Sequence, residues 1–201
     1  MTYHPPLRGA PGGRVGGASR GSTQLPVALP TIDLVAPDDQ AGLTANPSPT
    51  LYFFVSGPVP FPTQLTISAA LRPAPVLEVT IPSPRAAGLY AARLADFHVR
   101  LEPGVVYTWS VSIVADPKAW SRNVVASATL TYAATQPAVD AQAARAASPL
   151  QRAALFAQNG VWYDAVTAAA EAQNLDRHAA LDGLMEQVGL KEPAAFDRAH
   201  Q

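Results

Sequence analysis

The stretch Tyr107-Thr-Trp-Ser-Val-Ser-Ile113 alternates between large apolar and small polar side chains. Because successive side chains of a β-strand point to opposite faces, this pattern predicts a strand with one buried and one wet face. Just upstream, Leu101-Glu-Pro-Gly-Val-Val-Tyr107 has the layout of a tyrosine corner, in which a tyrosine hydrogen-bonds to backbone a few residues before it. The alternative is an ordinary turn beside a core aromatic. In both cases Tyr107 and Trp109 are expected to lie in a core.

Further strands are predicted on both sides of this stretch. The candidates are residues 51–55, 65–70, 76–81, 88–92 and 124–132, which are separated by Pro-rich connections with no helical pattern between them. Short strands with such turns are typical of two packed antiparallel sheets. The sequence therefore predicts an immunoglobulin-like β-sandwich over residues 26–135.

The pattern becomes helical after residue 147. Residues 133–147 are rich in Ala and Gln and form either a linker or a helix from Pro137. Ser148-Pro-Leu-Gln151 predicts a helix start with Ser148 as N-cap and Gln151 as its capping-box partner, and Asn159-Gly160 predicts the helix end. Two more helices are expected over residues 162–172 and 176–188, the last with Asp176 as N-cap and Gly189 as its stop. The predicted fold is thus mainly β with an α appendage, a short helical hairpin or bundle over residues 136–201.

This hairpin resembles one tetratricopeptide-type unit, with small alanines followed by Gly160, Trp162 and Ala165. A single unit of that kind cannot bury its apolar face alone. It must therefore dock on the sandwich or on another protein.

Residues 1–25 are rich in glycine and proline, contain Arg8, Arg14 and Arg20, and have no acidic residue. Such a segment buries too little apolar area to offset its ordering entropy, so we expect a flexible arm. One interpretation is a solvated tail. The other is an arm that becomes ordered on a partner, because arginine offers bidentate hydrogen bonds to carboxylates or phosphates.

Composition excludes several classes of function. The chain has no cysteine, which removes disulfides, thiolate nucleophiles and Cys-type zinc sites. A net charge of −1 gives no bias toward nucleic acid. No segment approaches the ~20 continuous apolar residues of a transmembrane helix, so direct membrane insertion is not expected.

The sequence also lacks a catalytic constellation. The four histidines have no zinc-site spacing, and no phosphate-binding or nucleophile-elbow motif is present. Asp96 and His98 are expected to share one face of a strand, where they are either the acid–base pair that a hydrolase could use or two solvent-exposed residues. Asp140, Asp164 and Glu171 lie on predicted helices without convergence. We therefore expect no catalytic, cofactor-binding or metal-binding residues.

Aromatic residues are the better binding candidates. Trp120 lies in the connection between two predicted strands and is either folded back as a lid or offered to a partner. Trp162 and Tyr163 follow the Asn-Gly turn, and a place in the helix-pair core is the favoured interpretation. The residues predicted to contact a partner are accordingly Arg8, Arg14, Arg20, Trp120, Trp162 and Tyr163.

Two longer stretches carry a family resemblance. Residues 5–21, Pro-Pro-Leu-Arg-Gly-Ala-Pro-Gly-Gly-Arg-Val-Gly-Gly-Ala-Ser-Arg-Gly, and residues 148–165, from Ser-Pro-Leu-Gln to Trp-Tyr-Asp-Ala, resemble the domain of unknown function 928 family, which is common in cyanobacteria. Leu51-Tyr-Phe-Phe-Val55 and Tyr107-Thr-Trp109 lie where that family has similar residues. Family members often have a cysteine where this chain has Ser22-Thr23, and this departure leaves a bridging or anchoring role of the arm's end without support. It implies an exported protein with no assigned activity and supplies no catalytic residues.

The leading functional hypothesis is a non-catalytic protein-interaction or structural module, an accessory or scaffolding subunit of a larger, membrane-associated assembly. Its partners would be other protein subunits. The expected location is periplasmic or exported, with a signal peptide removed or outside this numbering. A carbohydrate- or small-ligand-binding sandwich with Trp120 in its site is the second hypothesis, and a hydrolase using Asp96 and His98 is the third.

Overall fold

The longer strands of the protein lie where apolar and polar residues alternate. The computed structural model describes residues 1–6, 12–16, 28–118, 122–133, 137–172 and 174–200. Its strands are β1 Arg14–Val15, β2 Ile32–Leu34, β3 Gly42–Thr44, β4 Thr50–Val55, β5 Thr63–Ala69, β6 Leu77–Ile81, β7 Gly88–Arg93, β8 Val106–Ile113 and β9 Val124–Tyr132. The longer predicted strands are therefore confirmed within two residues at each end, whereas β1, β2 and β3 were not predicted.

The strands form two sheets. The larger sheet has the order β1-β9-β8-β5-β6, with β3 also paired to β9, and the smaller sheet has the order β2-β4-β7. β3 runs parallel to β9, and the other strand pairs are antiparallel. We call the two sheets together the sheet body.

The inner faces of the two sheets share one hydrophobic core. Leu65, Trp109 and Val111 of the larger sheet belong to the same buried cluster as Leu51 and Phe53 of the smaller sheet. Apart from Val106, the outer positions of β8 and β5 are Ser, Thr and Gln, as the alternation predicts. Burial of the apolar side chains therefore determines which face of each strand is turned toward the core.

The tyrosine corner is confirmed. The Tyr107 hydroxyl accepts a hydrogen bond from the Glu102 backbone N–H at 2.9 Å. This bond closes the turn made by Pro103 and Gly104, where Gly104 has a φ of +75°. The predicted corner thus fixes the start of β8.

The described residues from 137 onward are mostly helical. The helices are α1 Pro137–Arg145, α2 Pro149–Gln158, α3 Trp162–Ala170, α4 Asn174–Gln187 and α5 Lys191–Ala199. The Ser148 hydroxyl accepts a hydrogen bond from the Gln151 N–H, so the predicted N-cap of α2 is confirmed. Gln151 Oε1 bonds to the Ala147 N–H rather than to the N–H of Ser148.

Two predictions about the helices need correction. Asp176 is not an N-cap, because α4 already begins at Asn174 and Asp176 lies in its first turn. α5 was not predicted at all. With about 29% strand and 30% helix, the chain is a mixed α and β protein, so the prediction of a mainly β chain with a small α appendage underestimated the helices. α3 contacts both β3 and β4, and α5 contacts β7.

The described part of the N-terminal arm packs on the rest of the chain. β1 pairs with β9, and the Tyr3 ring lies edge-on to Trp162 with 4.8 Å between ring centroids. A Cβ placed on Gly12 would lie 2.2 Å from Thr129 Oγ1, so the glycines of the arm allow its backbone to approach the sheet. Composition alone predicts a flexible arm because it does not reveal these long-range contacts.

Candidate functional site

Buried aromatic residues join the helices to the sheet body. Trp109 Nε1 donates to Tyr163 Oη at 2.9 Å, and Tyr163 Oη donates to the Thr129 carbonyl at 3.3 Å. Trp162 Nε1 donates to the Val35 carbonyl at 2.9 Å. Burial raises the pKa of Tyr163, because a phenolate there would lose its hydration. We call these contacts the aromatic seam.

The seam depends on a close approach at Gly42. A Cβ at this position would lie only 2.6 Å from Tyr163 Cε2. That distance is shorter than any van der Waals contact, so the ring passes the strand only because position 42 has no side chain. The helices therefore dock on the chain's own sheets, which is one of the two outcomes expected for a lone hairpin.

Trp162 and Tyr163, which were predicted to contact a partner, are fully buried in this seam. Their burial agrees with the favoured core interpretation and leaves them no surface to offer a second protein. Arg14 Nη2 donates to the Val188 carbonyl at 3.1 Å, just beyond α4, where a cation also meets the negative end of the helix dipole. Burial lowers the pKa of Arg14, and the nearby carboxylates of Asp33 and Asp38 oppose that shift. Arg8, Arg20 and Trp120 lie outside the described residues.

A polar cavity of about 150 Å³ lies between α2, α3 and the connection from β3 to β4. Asp164 Oδ2 accepts hydrogen bonds from Thr44 Oγ1 at 2.8 Å and from the Ala45 N–H at 2.9 Å. Burial raises the pKa of Asp164, although these hydrogen bonds favour its ionised form and oppose the shift. Asp164 therefore clamps the end of β3 to α3.

Glu171 lines the same cavity and pairs with Arg152 at 2.5 Å. The expectation that Asp164 and Glu171 do not converge was therefore wrong. Their spacing of seven residues places them two turns apart on one helix face, and this signal was available in the sequence. Since Glu171 already has a cationic partner and Asp164 is hydrogen-bonded, the arrangement acts as a structural clamp.

A mostly apolar depression lies at the end of the sheet body where β4 ends and β7 begins. It has a volume of about 560 Å³, inside the range of ligand pockets. Four of its ten lining residues are proline, and its charged residue is an arginine. We call it the proline groove, and it is lined by Ala28, Leu29, Pro30, Ser56, Gly57, Pro58, Val59, Pro60, Pro84 and Arg85.

The hairpin between β5 and β6 carries an unusual leucine at the opposite end of β5. Leu71 is fully exposed, and its φ of +69° lies in the left-handed region. For a residue with a Cβ, this backbone conformation costs about 1–2 kcal/mol, and bulky residues adopt it rarely. Next to it, Arg72 forms an exposed ion pair with Glu102 at 2.5 Å, which holds the hairpin against the tyrosine-corner turn.

Comparison with known families matches residues 15–196 to the family described as Domain of Unknown Function (DUF928). The chain belongs to the DUF928 family. No curated protein and no solved structure matches it. The match runs from Val15 in β1 to Phe196 in α5, whereas most of the arm that carries the resemblance precedes it.

In this DUF928 protein Asp96 and His98 do not lie on a strand. Asp96 belongs to a 3₁₀ helix, Leu94–Phe97, and His98 ends that helix with a φ of +57°. Both side chains are exposed. Asp96 lines a cavity of about 250 Å³ beside β7, but His98 is not part of that lining. The prediction that the two share a strand face was therefore wrong.

A second charged cluster joins α4 to α5 in the DUF928 chain. His178 Nδ1 lies 2.6 Å from Asp197 Oδ2, and Arg198 Nη1 lies 2.6 Å from Glu186 Oε1. Asp182 is buried beside them, and its burial raises its pKa. Within the described ranges, no three His, Cys, Asp or Glu side chains are grouped so that they could hold a metal ion. The cluster fastens α5, whose Phe196 covers Phe54 at 5.3 Å between ring centroids.

No helix in the described part of the DUF928 chain is long and apolar enough to cross a membrane. The proline groove and Leu71 were both missed by the sequence analysis. The run Pro58-Val-Pro-Phe-Pro62 was the signal for the groove. The position of Leu71-Arg-Pro73 between two predicted strands was the signal that an apolar residue lies in a turn.

Proposed function

We propose that this chain is a non-catalytic interaction module, an accessory or scaffolding subunit of a larger, membrane-associated assembly. The proposal includes the finer fold, an immunoglobulin-like sandwich that carries its own helices. The tyrosine corner and the core shared by the two sheets support that part of it.

Leu71 is the observation on which the proposal rests. The residue bears two costs at once, because its backbone is strained and its apolar side chain is in water. Burial of a leucine side chain contributes about 1.5–3 kcal/mol. A partner with an apolar pocket would supply that contribution, and the exposed ion pair of Arg72 with Glu102 lies beside the contact.

The helices bury their apolar face against the chain's own sheets and need no second protein for this. The surface that can contact a partner is therefore smaller. The aromatic residues of α3, Trp162 and Tyr163, are buried against the chain's own sheets. The carboxylates of α3 are engaged in the clamp with residues 44–45 and Arg152. These engagements support a non-catalytic role, as does the exposure of both Asp96 and His98.

The test is Leu71→Asn. Asparagine adopts the left-handed conformation readily, so the variant should fold with equal or higher stability, by up to about 1 kcal/mol. If Leu71 enters a partner's pocket, the same variant should lose at least tenfold of its partner in a native pull-down. Val15→Asn is the matched control, because Val15 is also an exposed aliphatic residue but has ordinary strand geometry.

Equal recovery of the partner with Leu71→Asn and with the wild type would contradict the proposal. So would an equal loss with Val15→Asn, since this would point to general surface hydrophobicity instead of the hairpin. The exported location is part of the proposal and rests on the family resemblance. Fractionation of cells should place the chain with periplasmic markers, and recovery with cytoplasmic enzymes would contradict that location.

A small-ligand-binding module is the second candidate, and the proline groove favours it.

A further inference from the structure

The proline groove is poor in hydrogen-bond donors. Its four prolines have no backbone N–H. The Val59 N–H is already bonded to the Pro84 carbonyl at 2.8 Å, and the Ser56 N–H is bonded to the Thr31 carbonyl at 3.1 Å. A peptide lying along these six residues would find no free backbone N–H for its carbonyl oxygens, and an unpaired buried carbonyl is costly. A hydrocarbon chain has no polar group to satisfy.

The rim of the groove carries one positive charge. Arg85 is exposed and forms no ion pair with another residue of the described ranges. A guanidinium binds a carboxylate through two parallel hydrogen bonds. Apolar walls with a cation at the edge therefore complement a molecule that has an alkyl chain and an anionic head.

The groove is also formed before a ligand arrives. Proline fixes its own φ, so Pro30, Pro58 and Pro60 limit the backbone freedom of the walls. A site that is already rigid loses little conformational entropy on binding. From the apolar walls, the scarcity of donors and the position of Arg85, we propose that the groove binds a free long-chain carboxylate, with its alkyl chain along the prolines and its head at Arg85.

This proposal is independent of the partner contact at Leu71, which lies at the opposite end of β5. The probe is dodecanoate below its micellar concentration, and the readouts are calorimetric affinity and amide chemical shifts in ¹⁵N-labelled protein. We expect saturable binding with shifts confined to residues 28–30, 56–60 and 84–85. Dodecanol, which has the same chain and no charge, should bind about tenfold more weakly to the wild type.

Arg85→Gln should weaken dodecanoate about tenfold and leave the affinity for dodecanol unchanged. Arg100→Gln is the matched control, because Arg100 is exposed near the opposite end of β4 and should have no effect. Gly57→Leu should abolish both interactions by filling the groove. A Cβ at Gly57 would make an ordinary contact of 3.8 Å with Pro30, so that variant should fold normally.

Shifts spread over the whole protein, or dodecanoate affinity unchanged in Gly57→Leu, would overturn the site. Equal loss of dodecanoate in Arg85→Gln and Arg100→Gln would overturn the assignment of the head group. Saturable binding of a proline-rich peptide at the same residues, without binding of dodecanoate, would show that the groove takes a protein segment and would overturn the ligand class.

Discussion

Substitution of Tyr163 by phenylalanine tests the aromatic seam with the loss of one oxygen atom. The hydroxyl accepts from Trp109 and donates to the Thr129 carbonyl. Without the hydroxyl, the Trp109 N–H remains buried with no acceptor, which lowers the stability by about 1–3 kcal/mol. Loss of the hydrogen bond to the Thr129 carbonyl lowers it by about 1 kcal/mol more. We therefore expect the free energy of unfolding to fall by about 2–4 kcal/mol.

Urea unfolding should be followed by tryptophan fluorescence and by circular dichroism at helix wavelengths. Both signals should shift together to lower urea, because the helices and the sheets share one core. Tyr90→Phe is the matched control. The Tyr90 hydroxyl bonds to the Ala86 carbonyl in an exposed setting, so its loss should cost less than about 1 kcal/mol. Equal effects of the two variants, or a helical transition separate from that of the sheets, would refute the seam.

Two further predictions concern the same interface. Gly42→Ala should destabilise the protein by about 1–3 kcal/mol, because the added methyl group would lie 2.6 Å from the Tyr163 ring. Urea unfolding measures this change in stability. A change below ~0.5 kcal/mol would contradict the close packing. Asp164→Asn addresses the clamp between α3 and residues 44–45. Burial raises the pKa of Asp164 above 3.8, so in the pH window just above that value the folded chain retains a proton that the unfolded chain releases. Wild-type stability should therefore fall as pH rises through this window. The Asn variant, which keeps an acceptor for Thr44 and Ala45, should lack that contribution in unfolding curves recorded between pH 3 and 7. Parallel pH profiles for the two proteins would show that Asp164 has no raised pKa.

The strands of the sheet body could be predicted because their signal is local. Tyr107, Trp109 and Val111 alternate with polar residues, and burial of that face is sufficient to fix a strand. β1, β2 and β3 are two or three residues long, so no alternation can identify them. β1 forms because the glycines of the arm fit against β9, which is a property of two distant segments together.

Helix ends were predicted where a single residue decides them. Ser148 caps α2 through its own hydroxyl, and Gly160 and Gly189 adopt positive φ at the ends of α2 and α4. α5 was missed because Pro193 within Lys191–Ala199 reads as a helix breaker. Proline is tolerated there, since the first-turn N–H groups of a helix have no intrahelical acceptor.

The docking of the helices could not be read from the sequence. Tyr163 meets Gly42 and Thr129, which are far from it in the chain, and the sequence carries no mark of that contact. The same limit applies to Leu71. Its exposure depends on the hairpin register of β5 with β6, in which Ile67 pairs with Leu77. The sequence identified residues suited to a core, and their partners became visible only in the fold.

Photo-crosslinking at position 71 tests the proposed function most directly. A photoreactive amino acid should replace Leu71 in one strain and the exposed Val125 of β9 in another, and crosslinked products should be isolated from intact cells. An interaction module predicts a discrete adduct with one protein partner from position 71 and none from position 125. If position 71 yields only the free chain while position 125 yields the adduct, the hairpin is not the contact surface.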